Sequence, residues 1–98
     1  MANSLKSARF LIESRLEDAA RGDTDAYFDL GMVYSSGSGG VGIDLIEAHK
    51  WFNLAAMTGD TRAQLCRAEV ADEMTAREIA LAQKQARAWL QMTTLKAA

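Results

Sequence analysis

The residues of this chain with the type and spacing for chemistry are few. Gly37, Gly39 and Gly42 stand in the GxGxxG spacing. That spacing cradles a dinucleotide pyrophosphate when a strand precedes it, a helix N-terminus follows, and an acidic residue ends a second strand about 20 positions on. Asp44 and His49 come shortly after the glycines, so the segment spells out a small nucleotide-binding protein or enzyme as one reading. His49 is the only histidine and Cys66 the only cysteine. Neither has a second histidine or cysteine nearby at metal-ligand spacing, and Cys66 has no neighbouring base to draw off its proton. The expectation is therefore no metal, no cofactor and no catalytic residue. His49 is read as an exposed or hydrogen-bonded structural residue, and Cys66 as a partly buried, inert thiol. The glycines are read as a turn that needs positive φ.

What could position these residues is a repeat. Gly22-Asp23-Thr24 with Ala26 returns as Gly59-Asp60-Thr61 with Ala63, an offset of 37 residues. Ala48-His49-Lys50-Trp51 has a later partner in Ala86-Arg87-Ala88-Trp89, an offset of 38. Self-similarity at a period of about 20–50 residues marks units that bury their apolar faces by stacking on one another. Such an array offers a binding surface rather than a catalytic cleft. At 98 residues the chain is one domain. It contains no proline and clusters its glycines, which predicts an all-α fold with one flexible interruption. A net charge of −2 supplies no basic stripe for phosphates and argues against nucleic acid. The absence of an apolar run of about 18 residues argues against a membrane span. A lone cysteine and an opening segment without a signal-like apolar run lead to a cytoplasmic expectation.

Five helices are predicted. Ser4 caps the first, running to about Arg21 with Leu5, Ala8, Leu11, Ile12, Leu16 and Ala19 on one side and Gly22 as its stop. Asp23 or Thr24 caps the second, to about Ser35, burying Ala26, Leu30, Val33 and Tyr34. Gly31 inside it permits a close helix-to-helix approach. Asp44 caps the third, Leu45 to Thr58, with Ala48, Trp51, Phe52, Ala55 and Ala56 inward. The fourth starts after Asp60 or Thr61 and ends near Met74. Thr75-Ala76-Arg77-Glu78 has capping-box spacing and opens the fifth at Ala76. Trp51 and Trp89 recur at the repeat offset and are assigned to the core.

Ala26-x-x-x-Leu30-Gly31-x-x-Tyr34-x-x-Gly37, then Gly40-Val41-x-x-Asp44, then Ala48-x-x-Trp51-Phe52-x-x-Ala55-Ala56-x-x-Gly59 resembles one complete Sel-one-like repeat (SLR), a relative of the tetratricopeptide repeats. Residues 63–89 resemble a degenerate second unit, with Arg67-Ala68 in place of Leu-Gly and Ala71 in place of the tyrosine. The resemblance implies a short α-solenoid of antiparallel helix pairs: an N-terminal helix over 1–22, a full repeat over 23–59, and a degenerate repeat with a capping helix over 60–98. It further implies an adaptor, scaffold or regulatory module that binds another protein, with the leading helices lining a concave surface.

On that picture Asp25, Phe28, Asp29 and Met32 of the second helix face the groove, and their counterparts on the fourth are Arg62, Leu65, Cys66 and Glu69. They form either an acidic and apolar groove for a partner segment, or helix-end charges with Phe28 and Leu65 completing the core between units. On the last helix Ile79, Ala82, Ala86, Trp89 and Leu90 form one apolar stripe. Leu81, Ala88, Met92 and Leu95 form a second, nearly opposite. A terminal helix normally shows water a polar outer face, so the second stripe points to a homodimer or a partner docked there, or to a helix end folded back on its own domain. Phe10 is a similar outlier on the first helix. A purely structural homo-oligomer subunit is the remaining alternative.

Overall fold

The computed structural model describes residues 3–97, with side chains at 9–38 and 40–94. Among them the chain forms α1 (Asn3–Ala20), α2 (Thr24–Ser36), α3 (Leu45–Met57), α4 (Thr61–Ala71) and α5 (Ala76–Ala97). One 3-10 turn, Ser38–Gly40, interrupts the connection from α2 to α3. The described residues contain no strand.

Local chemistry explains the helix starts. A helix leaves its first N–H groups without partners, and a carboxylate just before it satisfies some of them. Asp23 accepts from the N–H groups of Asp25 and Ala26, Asp44 from Glu47, and Asp60 from Arg62. Thr75 and Glu78 cap reciprocally: the Thr75 N–H donates to Glu78 Oε1 at 2.8 Å and the Glu78 N–H to Thr75 Oγ1 at 3.1 Å. Ser4 is an exception to the expectation, because α1 already begins at Asn3 and encloses it. Gly37 ends α2 in the left-handed region, φ 71°, its N–H donating to the Val33 carbonyl.

α3 is the hub of the core. Tyr27 stacks on Trp51 with ring centroids 6.0 Å apart, and Phe28 meets Phe52 at 5.8 Å. At the other end of α2, the Tyr34 carbonyl accepts from the N–H of Asp44. Contacts thus move forward along α2 as they move back along α3, so the two helices are antiparallel. Gly31 is what lets them close: a Cβ there would lie 2.5 Å from two atoms of the Phe52 ring. α1 lies on α2 and the 3-10 turn. Its inward stripe is narrower than the sequence indicated. Ala19 is buried and Ile12 and Leu16 pack on the core, but Leu11 is exposed.

The second unit departs from the first. α4 and α5 each pack on α3, and little backbone contact joins them to one another. The expected second antiparallel pair is therefore not a closely packed one. Where α2 offers Leu30-Gly31 to a partner helix, α4 offers Arg67-Ala68. Arg67 is used to reach α3, its Nη1 donating to Asn53 Oδ1 at 2.7 Å, and Ala68 is exposed. α5 instead joins the core through Trp89, whose ring meets Trp51 edge-on at 4.9 Å, with Ala86 buried and Leu90 packed beside it. No described helix is long and apolar enough to cross a membrane.

Candidate functional site

The predicted concave row is assembled only at one end. Asp25, Phe28 and Arg62 come together. The Arg62 guanidinium carbon lies 4.1 Å from the Phe28 ring centroid, and one of its nitrogens lies 3.8 Å from Asp25 and 2.8 Å from Asp60. Asp29 is paired with Arg15 of α1 at 3.5 Å. Asp25 and Asp29 of the row thus each lie beside an arginine of this chain while staying open to solvent. Hydrogen bonding from Arg62 holds the Asp60 carboxyl below its ordinary range, against a smaller opposing effect of desolvation. The contact that spans from α4 to α2, Arg62 with Asp25, is exposed on both sides and contributes little stability by itself.

The remaining members of the row diverge. Phe28 is half-buried against the core and Cys66 is partly buried beside it. Leu65, the counterpart of Phe28, is 65% exposed, so it does not complete a core between units. Met32 and Glu69 face solvent. Burial pushes the Cys66 thiol up, and Glu69 and Asp60 push it further. That opposes thiolate formation and agrees with an inert cysteine.

The second stripe of α5 is present on the surface. Leu81 is 42% and Met92 46% exposed, and Ala88 is exposed between them. The side chain of Leu95 lies outside the described residues. Met92 also edges a shallow hollow of about 360 Å³ between α3 and α5, lined with it by Glu47, Lys50, Gln85, Ala88 and Trp89. Glu47 is fully engaged there. Its Oε1 accepts from Lys50 Nζ at 2.9 Å and its Oε2 from Trp51 Nε1 at 3.0 Å. Lys50 Nζ sits 4.6 Å from the Trp51 ring centroid, while the buried Trp89 Nε1 has no hydrogen-bond partner in the described structure. Sequence reasoning assigned no site role to Glu47, Lys50 or Gln85. The i, i+3, i+4 spacing of Glu47, Lys50 and Trp51 was the available signal, because those positions meet on one helix face.

The glycine segment is built as a turn. A helix, α2, precedes Gly37, and Gly37, Gly40 and Gly42 all hold positive φ. The helix N-terminus that follows is already occupied by the Asp44 carboxylate. His49 departs from its expected environment: it is 3% exposed, and its Nδ1 has no hydrogen-bond partner. Burial pushes its pKa down and the charge of Arg67 pushes the same way. No group of three or more histidine, cysteine or acidic side chains placed to hold a metal occurs among the described residues. No protein-family model, no curated protein and no solved structure matches this chain.

Proposed function

We propose that this chain is a protein–protein interaction module of the Sel-one-like repeat type, an adaptor, scaffold or regulatory subunit in the cytoplasm with no reaction of its own. The observation that carries the reading is the pairing of α2 with α3 around Gly31 and Phe52. It puts a small residue and an aromatic of the repeat pattern to the packing use that such a pattern requires. Two further observations support it. The residues with nucleophile or base chemistry, Cys66 and His49, are held in their uncharged forms by burial. Apolar surface remains on the outer side of α5, at Leu81 and Met92, where a terminal helix ordinarily turns polar groups to water.

The partner sits on that face of α5, and a second copy of the chain is the first one to test. Burying Leu81 and Met92 contributes about 1.5–3 kcal/mol for each fully buried side chain. The double change Leu81→Glu with Met92→Glu is therefore expected to abolish association while leaving the core contacts of Ala86, Trp89 and Leu90 intact. Light scattering coupled to size exclusion reads self-association over a rising concentration series. Affinity capture with parent and double variant side by side reads a foreign partner. A parent that stays monomeric, and a partner retained equally by both proteins, removes α5 from the binding surface.

A further inference from the structure

His49 is the one buried residue with a basic side chain among those described. Asn53 lies one turn further along α3, on the same helix face, and it receives Arg67 of α4 at 2.7 Å. His49 therefore looks toward α4. That helix packs on α3, burying Ala63 and Val70 with Cys66 partly buried against the core. Its link to α2 is the exposed contact of Arg62 with Asp25 and Phe28.

From this arrangement we propose that His49 and α4 form an acid-released flap, in which a proton on His49 detaches α4 from α3 while α2, α3 and α5 stay packed. An added proton makes the imidazole a double donor, and its buried Nδ1 has no acceptor to meet it. Asn53 Oδ1, one turn along the face, already accepts from Arg67. The new charge would also face the Arg67 guanidinium, a like charge in a poorly solvated place. The other surroundings of α3 do not offset it. From α2 come Tyr27, Phe28 and the Gly31 backbone, none of them a carboxylate. From α5 comes Trp89. On α3 itself Glu47 and Lys50 are paired with each other.

The direction of the pH dependence follows. The folded pKa of His49 lies below its ordinary value of 6.5, so the open state binds more protons than the closed one. The closed state is fully favoured above about pH 6.5 and loses ground as pH falls from there toward the folded pKa. Release also lifts Arg62 from Phe28 and Asp25, uncovering an aromatic flanked by carboxylates. This inference holds whether or not α5 binds a partner.

The test is amide hydrogen exchange on the full chain at about pH 7.5 and about pH 5.5, with protection factors corrected for the intrinsic pH dependence of exchange. In the parent, protection over 61–71 is expected to fall toward the tenfold limit set by one pH unit below about 6.5, while protection over 45–57 holds. His49→Gln, which cannot take the proton, is expected to abolish the response, and Arg67→Gln to shrink it. Constant protection of α4 overturns the proposal. So does an equal loss in every helix, or a response that survives in His49→Gln. Should that variant fail to fold, proton NMR titration of the parent stands in for it: the loss of protection over 61–71, with 45–57 holding, is expected to follow a His49 midpoint below 6.5, and a midpoint at or above 6.5, or a loss that does not follow it, overturns the flap.

Discussion

The α2/α3 pair and the α4/α5 pair are built on one sequence pattern and pack differently. In the first, Gly31 removes a side chain at the crossing, so the Phe52 ring lies against the α2 backbone. Tyr27 and Phe28 then reach Trp51 and Phe52. In the second, Arg67-Ala68 occupies the equivalent place, Ala68 is left in solvent, and both helices use α3 as their partner. In this chain the closely packed pair is the one with glycine at the crossing. Where that residue is lost, the helices still form, because caps and turns are local. Their tertiary address is then set by whatever apolar surface a neighbour offers, here the face of α3 that Trp51 presents to Trp89.

Three substitutions sharpen or break this comparison. The largest effect is expected at Trp51, which is shared by α2, α3 and α5. Trp51→Ala should destabilise the fold by about 3–5 kcal/mol, the cost of emptying a large aromatic site. Out of a total of about 5–15 kcal/mol for a domain of ordinary stability, that is a large share. Circular dichroism melts check it, and a variant melting within a degree of the parent would mean that Trp51 does not join the two units.

Gly31→Ala comes next, and its sign is the informative part. A new methyl 2.5 Å from ring atoms of a buried Phe52 must push the helices apart, at a cost of about 1–3 kcal/mol. Alanine returns about 1 kcal/mol in helix propensity. Net destabilisation is expected in urea unfolding. A stabilised variant would show that the close approach at Gly31 is not what distinguishes the first pair. The reciprocal change on α4 has the smallest effect. Ala68→Gly should cost about 1 kcal/mol from propensity alone, because no partner helix waits at that exposed position. A gain in stability there, by the same measurement, would mean that α5 can close on α4 as α3 closes on α2.

Much of this protein was legible along the chain because it is decided within a few residues. The five helices, the caps Asp23, Asp44 and Asp60 and the Thr75–Glu78 box are satisfied by neighbours two to four positions away. The core roles of Trp51 and Phe52, and the closeness at Gly31, followed from helical periodicity and repeat offset. What only the tertiary structure decided depends on which helices meet. Leu11 is exposed and Tyr27 and Leu54 buried, because α1 lies on α2 with a narrow stripe while α3 is covered on several sides. Asp25 and Asp29 read as an acidic row, and α1 and α4 bring Arg15 and Arg62 beside them. His49, read as exposed or hydrogen-bonded, is buried with its Nδ1 unpartnered. Leu65 and Phe28 share a register and part company because Phe52 answers one of them and nothing answers the other. Periodicity assigns a side chain to a face, and only the neighbour's surface settles whether that face is covered.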